Sequence, residues 1–361
     1  MRVLLAGGGT AGHINPAISI ADTIKAKEPD SEFLFVGTKN GMESKLVPRS
    51  GYKIEFVEVS GFKRKLTIEN AVAAFKAVKA FSKCRSIIKK FRPDVVIGTG
   101  GYVSGPLLLA ASKLKIPTLI HEQNVFAGLT SKMLSDKVDT VCISFEESRH
   151  RFEKAKKVVL TGNPLRNELF GLTYSDARKK LDIDEKPFIV AFGGSLGAKR
   201  LNDSMVSYIK RIEDGKYNIL FATGEREFDE VSKKLEGVEK TGINVVKYIY
   251  NMNEAMQAAD LLICRAGAIT VSEINALGKP SVLIPSPNVT DNHQFYNAKA
   301  LADKNAAALI EEKDLDDNVF FDTVSKLAED KTTLRKMGDC SRNMGIRDAN
   351  ELIYNEIKKI V

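Results

Sequence analysis

The sequence has few cysteines and no long apolar run, and each absence excludes a class of protein. The four cysteines are scattered among 361 residues without a C-x-x-C pair, which is typical of reduced thiols in a cytosolic protein. No apolar run approaches the ~18 residues of a membrane-spanning helix. Only four apolar residues separate Met1-Arg2 from the first glycines, which predicts no signal peptide. With 43% apolar residues, the chain is large enough for two domains.

Two glycine-rich turns follow predicted strands, and each is followed by a predicted helix. Residues 7–13 read GGGTAGH after the first strand, and residues 193–198 read GGSLGA after a strand at 188–192. Such a turn points backbone N–H groups and a helix N-terminus at one place, where a phosphate or another anion can bind. Neither turn ends in Gly-Lys-Ser or Gly-Lys-Thr, which excludes a P-loop. Two such turns in one chain suggest a ligand held between two halves.

The first turn also matches the dinucleotide pattern G-x-G-x-x-G, so a dehydrogenase is the first alternative to test. A dinucleotide site needs an acidic side chain about 20 residues further on, at the end of the second strand. The second predicted strand, residues 32–38, ends in Val-Gly-Thr with no carboxylate at its tip. His13 would also lie where a cofactor pyrophosphate packs. Both observations argue against a dehydrogenase.

Predicted strands and helices alternate along the whole chain, which is typical of parallel, doubly wound α/β sheets. A linker with glycine and proline at 161–166 (TGNPLR) separates two halves, and the tail from 322 to 361 is helical in pattern and could pack on either half. The predicted strands of the first half are 3–6, 33–36, 54–59, 95–97, 118–121, 140–143 and 158–160. Those of the second half are 189–192, 219–222, 245–248, 261–264, 282–284 and 307–310.

Positive charge is concentrated in residues 61–92, which contain ten basic residues and one acidic residue and so carry +9, whereas the rest of the chain sums to −1. Residues 68–91 have helical spacing. A helix with lysines beside apolar side chains can lie on an anionic membrane surface. The alternatives are a solvated helix whose phenylalanines face the core, and a nucleic-acid site without a recognisable motif. The candidate membrane-facing residues are Phe75, Lys76, Val78, Lys79, Phe81 and Lys83.

Three further motifs lie at the ends of predicted strands, where α/β proteins bind ligands. Residues 98–106 (GTGGYVSGP) form another glycine-rich turn, and residues 121–124 (HEQN) are a polar cluster that follows an apolar strand. In residues 264–273 (CRAGAITVSE), Thr270 and Glu273 fit a capping box, with Thr270 as the N-cap. The alternative is that Glu273 accepts hydrogen bonds from two sugar hydroxyls, as a ribose-binding carboxylate does.

Six motifs in order over nearly the whole chain resemble those of the MurG family, the peptidoglycan N-acetylglucosaminyltransferases. They are residues 8–13 with Pro16, and residues 100–106, 121–124, 162–166, 193–195 and 265–273. The resemblance implies the α/β GT-B fold, two Rossmann-like, doubly wound parallel-sheet domains that face each other across a cleft. Residues 1–163 would bind acceptor and membrane and residues 164–340 the UDP-sugar, while the helix at 341–361 is free to pack back on the first domain.

The resemblance also implies a reaction. An inverting, metal-independent and cofactor-free transferase would move N-acetylglucosamine from UDP-N-acetylglucosamine to the 4-hydroxyl of the muramoyl sugar of lipid I, an undecaprenyl-diphosphate muramoyl-pentapeptide. The product, lipid II, serves peptidoglycan synthesis, and the enzyme would bind peripherally to the anionic cytoplasmic face of the cell membrane, without nucleic acid. A soluble UDP-N-acetylglucosamine 2-epimerase of the same fold is the alternative, and it would not need the +9 segment. A non-catalytic membrane module would leave residues 121–124 unexplained.

The resemblance assigns roles to particular residues. His13 is the candidate base, with Glu122 as the other candidate for the proton transfer. Ala11 stands where glycine is common in the family, which is compatible only with a negative φ. The residues implied in binding UDP-N-acetylglucosamine are Thr10, Ala11, Gly12, Asn124, Arg166, Ser195, Ile249, Ala268, Ile269, Thr270, Val271, Ser272, Glu273 and Gln294.

Overall fold

The computed structural model describes residues 1–59, 68–194 and 196–361, and it describes their side chains except those of 68–74 and of Asn167. Ser195 and residues 61–67 of the basic segment therefore lie outside the described residues. The chain forms two compact units. The first unit comprises residues 1–165 and 347–361, and the second comprises residues 166–346.

The first unit is built on a parallel sheet of seven strands. Its strands are β1 (Arg2–Gly7), β2 (Glu32–Gly37), β3 (Lys53–Phe56), β4 (Val95–Gly100), β5 (Thr118–Glu122), β6 (Thr140–Ile143) and β7 (Val158–Leu160). Its helices are α1 (Ala11–Lys27), α2 (Glu43–Arg49), α3 (Ile68–Phe91), α4 (Ser104–Lys113), α5 (Leu129–Leu134), a 3-10 helix (Glu146–Phe152) and α14 (Ala349–Lys358). The strand order is β3-β2-β1-β4-β5-β6-β7.

The second unit is built on a parallel sheet of six strands. Its strands are β8 (Phe188–Phe192), β9 (Asn218–Ala222), β10 (Ile243–Val246), β11 (Leu261–Cys264), β12 (Ser281–Leu283) and β13 (Ala308–Leu309). Its helices are α6 (Tyr174–Lys180), α7 (Lys199–Arg211), α8 (Phe228–Lys234), α9 (Met252–Ala258), α10 (Ala268–Leu277), α11 (His293–Ala302), α12 (Asp317–Glu329), α13 (Lys331–Met344) and 3-10 helices at Asn167–Phe170 and Thr290–Asn292. The strand order is β10-β9-β8-β11-β12-β13.

Apolar side chains on both faces of each strand explain why helices cover both sides of the sheets. In β1, Val3 and Leu5 face a cluster formed with α1 and α14, whereas Leu4 and Ala6 face a cluster formed with α3 and α4. Successive side chains of a strand point to opposite faces, so a continuous apolar run is the sequence of a strand buried on both sides. The prediction of two parallel, doubly wound α/β domains is confirmed, and each predicted strand is present.

The boundaries of the two units differ slightly from those predicted. The first lies at 165 rather than 163, within the predicted linker. The second lies at 346 rather than 340, because α13 continues to Met344 and packs on α10 of the second unit. The final helix α14 belongs to the core of the first unit, where Ile353 and Ile357 are completely buried.

The strand orders place one switch point in each sheet. In the first sheet the order reverses between β1 and β4, and in the second between β8 and β11. Ligands of open α/β sheets bind outside the carboxyl ends of the strands at such a point. The predicted glycine-rich turns follow β1, β4 and β8, and residues 265–267 follow β11. Each unit therefore carries its motifs where its own topology provides a binding crevice.

Candidate functional site

The glycine turns after β1 and β4 pack directly on each other beside His13. The N–H of Gly8 donates to the carbonyl of Gly100 at 3.3 Å. Gly100 has φ +114°, and a Cβ there would lie 2.5 Å from His13 Nδ1; at Gly101 (φ +79°) it would lie 2.3 Å from Gly8 O. Only glycine fits these two positions. The two turns thereby bring the β4 loop against the imidazole at the start of α1.

The three residues before His13 form the N-terminus of α1. Thr10 is the N-cap, with φ −135° and no capping hydrogen bond from its side chain, and Ala11 is the first helical residue. Ala11 is not among the residues with positive φ. Alanine in place of the family's common glycine therefore introduces no strain. The N–H groups at this helix start lack a side-chain cap, as an anion-binding N-terminus requires.

A carboxylate does reach the end of β2, although it is not part of the strand. Glu43, at the start of α2, is buried, and its Oε1 accepts hydrogen bonds from the N–H of Thr38 (2.9 Å) and its hydroxyl (2.7 Å). Its Oε2 accepts from the N–H of Gly9 at 3.1 Å. Burial raises the pKa of Glu43, but these hydrogen bonds outweigh it and the pKa is lowered overall. The Glu43 carboxylate already accepts hydrogen bonds from Thr38 and Gly9, so it is not available to the ribose of a dinucleotide. This engagement, rather than the absence of a carboxylate, argues against a dinucleotide site.

The motif 121–124 supplies a buried hydrogen-bonded chain that ends at His13. His13 Nδ1 lies 3.0 Å from Gln123 Oε1, and Gln123 Nε2 lies 3.0 Å from His121 Nδ1 and 2.9 Å from His121 O. His121 Nε2 lies 2.9 Å from Gly162 O. Burial lowers the pKa of His121 to about 4, although the bond to Gly162 opposes the shift. His121 is therefore neutral at physiological pH.

The two candidates for the catalytic base, Glu122 and His13, differ in their hydrogen bonds. Glu122 is buried, and its oxygens accept from the N–H groups of Asn124 (3.2 Å) and Gly128 (3.1 Å). His13 is half-buried, and within the described part of the chain its ring is hydrogen-bonded through Nδ1 alone. The Glu122 carboxylate therefore shapes the turn that presents Asn124, whereas the imidazole of His13 retains a nitrogen for a substrate.

In the second unit, a cavity of about 560 Å³ lies at the carboxyl ends of β8 and β11. The helices α7 and α10 both begin there, with Ala198 and Gly267 as N-caps that have no capping side chain. Gly194 has φ +93° and open space where a side chain would be. Uncapped helix starts and open backbone N–H groups favour an anion. The cavity thus has the electrostatics of a diphosphate site.

Polar side chains around this cavity are held in place by the protein. Gln294 Oε1 accepts from the N–H of Ser286 at 2.9 Å, which leaves the amide nitrogen for a ligand. Arg265 forms a 2.5 Å ion pair with Glu312 and donates to two backbone carbonyls, one of them from Ile284 at 3.1 Å. Arg265 and Glu312 had no predicted role, and no local sequence signal marks their pairing, since they come from distant loops.

Of the two interpretations of Thr270 and Glu273, the capping box is wrong. The N-cap of α10 is Gly267, no side chain caps the helix, and Thr270 lies within the first turn. Glu273 is then one turn further along the same helix face as Thr270, which lines the cavity. Burial raises the pKa of Glu273 to about 7, opposed by the positive charge of Arg166. Among the described residues, none donates a hydrogen bond to this carboxylate, so it remains available to a ligand.

The other predicted donor-binding residues are placed as follows. Val271 is completely buried in the second unit, so only its backbone is available to a ligand. Ile249, in the loop after β10, also buries its side chain. Arg166 is exposed just after the unit boundary. The remaining predicted residues of α10, Ala268, Ile269 and Ser272, lie in its first turn and a half, beside the cavity lined by Thr270 and Gln294.

Helix α3 begins and ends at the predicted residues. Phe75 and Val78 are 72% and 70% exposed, beside Lys79. Phe81, in contrast, is half-buried against the core of the first unit, and we leave it out of the membrane-facing set. Lys79 and Lys83 form exposed ion pairs at 3.5 and 3.9 Å with glutamates outside the basic segment, Glu58 and Glu55. The local charge is therefore smaller than the segment's +9.

Two observations concern metals and membranes. Within the ranges that the structure describes, no group of three or more His, Cys, Asp or Glu residues could hold a metal ion. Over those same ranges, none of the helices combines the length and apolar character needed to span a bilayer.

Comparisons with known proteins agree with this geometry. The family model of the glycosyltransferase family 28 N-terminal domain matches residues 3–143, and that of the C-terminal domain matches residues 188–353. A protein of Acetivibrio thermocellus is 48% identical over 363 residues, covering 100% of this chain and 98% of its own length. That relative is named UDP-N-acetylglucosamine–N-acetylmuramyl-(pentapeptide) pyrophosphoryl-undecaprenol N-acetylglucosamine transferase.

Two solved structures are also similar. The crystal structure of Acinetobacter baumannii MurG has a TM-score of 0.84 and 32% sequence identity, with 99% of each chain covered. The UDP-GlcNAc 2-epimerase from Neisseria meningitidis, bound to UDP-GlcNAc, has a TM-score of 0.69 at 15% identity, with 99% of this chain and 100% of that chain covered. The second likeness is evidence of the fold alone.

Proposed function

The chain belongs to glycosyltransferase family 28, whose two domain models match it in order, and we propose that it catalyses the reaction named for its relatives. It transfers N-acetylglucosamine from UDP-N-acetylglucosamine to the muramoyl sugar of lipid I, which forms lipid II in peptidoglycan synthesis. The observation that carries this function is the 48% identity to such a transferase over the full length of this chain. The 2-epimerase alternative has only a shared fold in its favour.

The proposed chemistry assigns one role to each unit. The acceptor 4-hydroxyl attacks the anomeric carbon of the donor and gives its proton to His13, while the bond from that carbon to the UDP oxygen breaks. Histidine commonly serves as a general base at neutral pH, worth about 10²–10⁴-fold in rate. The leaving UDP gains negative charge, which the uncapped starts of α7 and α10 and the guanidinium of Arg166 would stabilise. Glu273 and Gln294 would bind sugar hydroxyls.

Release of UDP tests the reaction and separates it from epimerisation. Purified full-length protein is incubated with UDP-N-acetylglucosamine, with and without a lipid-diphosphate muramoyl-pentapeptide. We expect stoichiometric UDP and glycosylated acceptor only when the acceptor is present, because the hydroxyl is the attacking group. UDP-sugar isomerised in the absence of acceptor would instead identify an epimerase.

We further propose that the α3 surface, formed by Phe75, Lys76, Val78, Lys79 and Lys83, binds the cytoplasmic face of the cell membrane. The lipid tail of the acceptor stays in the bilayer, so the enzyme must work at the headgroups. Two exposed apolar side chains next to lysines supply both terms of interfacial binding, insertion and attraction to anionic lipid. Each basic residue near such a surface contributes about 1 kcal/mol. The pairs with Glu55 and Glu58 are exposed and weak, so they can open at the membrane.

Charge reversal of the α3 surface is expected to abolish membrane binding. In the triple variant Lys76→Glu, Lys79→Glu, Lys83→Glu, loss of about 1 kcal/mol per lysine weakens binding to anionic vesicles by more than about 10²-fold. Sedimentation with vesicles measures this. Turnover of a long-chain acceptor in vesicles should fall, while turnover of a short-chain, soluble acceptor should stay nearly constant.

A matched control changes the same number of charges elsewhere. The variant replaces three exposed lysines of the second unit by glutamate: Lys233, Lys326 and Lys336. It should bind vesicles nearly as well as the wild type. Equal vesicle binding by the α3 variant and the wild type would refute the membrane role of α3.

A further inference from the structure

We propose that Gln123 is a positioning residue that holds His13 in the tautomer protonated on Nδ1, so that Nε2 keeps its lone pair for the acceptor proton. Only the last step, proton transfer at Nε2, rests on the proposed function. The tautomer itself is a property of the folded first unit. It follows from hydrogen-bond donors and acceptors whose roles are fixed by two backbone carbonyls.

The first carbonyl fixes the Gln123 amide. Gln123 Nε2 lies 2.9 Å from His121 O, and a carbonyl oxygen can only accept, so the amide group facing it must be the NH₂. The amide oxygen then faces His13, with Oε1 3.0 Å from Nδ1. Because an amide oxygen also only accepts, His13 Nδ1 must carry the proton.

The second carbonyl leads to the same assignment from the other end of the chain of bonds. His121 Nε2 faces Gly162 O at 2.9 Å and therefore donates. Burial keeps the pKa of His121 well below neutrality, at about 4, so its Nδ1 is bare and accepts from Gln123 Nε2 at 3.0 Å. His121 and Gln123 are both buried, which shields this arrangement from competing water.

The tautomer decides whether His13 can act as a base. With Nδ1 protonated, the lone pair is on Nε2, the ring nitrogen that does not face Gln123. In the opposite tautomer the lone pair would be on Nδ1, which faces the buried amide rather than a substrate. The partner of one imidazole nitrogen sets the state of the other, and loss of such a partner costs catalytic triads about 10⁴-fold through the wrong tautomer. In this chain the amide oxygen of Gln123 accepts from the imidazole, as a carboxylate does in those triads.

Nitrogen-15 NMR of the histidine rings tests the tautomer without any activity measurement. The full-length chain has only four histidines, so removing one at a time assigns every signal. In the neutral rings, we expect His13 to be protonated on Nδ1 and His121 on Nε2. In Gln123→Met, His13 should shift to averaged signals of two tautomers. A wild-type His13 protonated on Nε2 would overturn the proposal.

The kinetics of the same variants test whether the tautomer of His13 affects catalysis. Gln123→Met should lower kcat by about 10- to 100-fold, the range known for partners that orient histidine ligands, with the KM for the donor unchanged. Gln123→Glu should retain the His13 tautomer and recover part of kcat in its protonated form, in which one carboxyl oxygen accepts from His13 Nδ1 and the O–H donates to His121 O in place of the NH₂. Ser148→Ala is the control, since it removes a 2.8 Å bond to Phe145 O from a buried hydroxyl of the same unit that has no hydrogen bond to His13, His121 or Gln123.

The outcomes separate the two proposals. An equal loss of kcat in Ser148→Ala and Gln123→Met would mean a merely structural effect and would reject the positioning role. A wild-type chain without acceptor-dependent UDP release would refute the proposed transferase function. The NMR measurement of the His13 tautomer does not depend on that activity and would still confirm or refute the role of Gln123.

Discussion

Replacement of His13 by alanine is expected to lower kcat by at least about 10²-fold and to leave the affinity for UDP-N-acetylglucosamine unchanged. A general base acts mainly in the transition state, so its loss appears in kcat rather than in donor binding. The geometry is suitable, since His13 is half-buried with its Nδ1 3.0 Å from Gln123 Oε1. Steady-state rates at saturating donor and acceptor give kcat, and calorimetry gives the donor affinity.

Two matched variants accompany this prediction. His150→Ala removes an exposed histidine of the same unit and should leave kcat unchanged. Glu122→Gln tests the other candidate base and should have the smaller effect, because both carboxylate oxygens already accept hydrogen bonds from N–H groups. If His13→Ala lost less than about fivefold while Glu122→Gln lost far more, the base would be Glu122.

The different surroundings of Glu122 and His121 follow in part from strand geometry. Successive residues of a strand point to opposite faces, so His121 and Glu122, the last two residues of β5, lie on different faces, and Gln123, directly after the strand, contacts His121. Which face meets His13 depends on how β5 and α1 are placed around the sheet. The sequence therefore predicts a polar cluster at 121–124 but not the contact of Gln123 with His13.

Elements were predictable where the signal is local. Strand and turn positions follow from apolar runs and glycines, and α3 begins and ends as its periodicity indicates. The role of Glu43 was not predictable, because it reaches the N–H of Gly9 across 34 residues of sequence. Likewise, periodicity places Phe75 and Phe81 on adjoining parts of α3, but only packing decides that Phe81 joins the core and Phe75 stays exposed.

The start of α10 shows how a local signal can mislead. Thr270 and Glu273 have the spacing of a capping box, yet Gly267 is the N-cap and both residues lie inside the helix. Glycine tolerates the N-cap position nearly as well as threonine, and the earlier start lets the first turn of α10 meet the cavity after β8. Glu273 therefore does not cap this helix.

Replacement of Glu273 by alanine is expected to weaken UDP binding by roughly 1.5–3 kcal/mol, the usual contribution of hydrogen bonds to a charged group. This corresponds to a Kd about 10- to 150-fold higher. The reason is that the carboxylate, without a hydrogen-bond donor among the described residues, would accept from the two ribose hydroxyls. Isothermal titration calorimetry of UDP measures the change. Glu236→Ala removes an exposed glutamate of the same unit and should leave the Kd unchanged.

The pH dependence of Glu273 provides the sharper test. Burial raises the pKa of Glu273 from 4.5 to about 7 in the folded chain. The folded chain is therefore more stable when this carboxyl group is protonated than when it is ionised. That contribution is complete below pH 4.5 and is lost as the pH rises through about 7. Glu273→Gln should therefore melt at a higher temperature than the wild type at about pH 8 and at the same temperature near pH 4.5, whereas replacing a capping residue would only lower stability.

The affinity of the wild type for UDP should rise between about pH 6 and 8 as the carboxylate of Glu273 ionises, and Glu273→Gln should abolish this rise. An unchanged UDP affinity in Glu273→Ala would exclude the ribose-binding role.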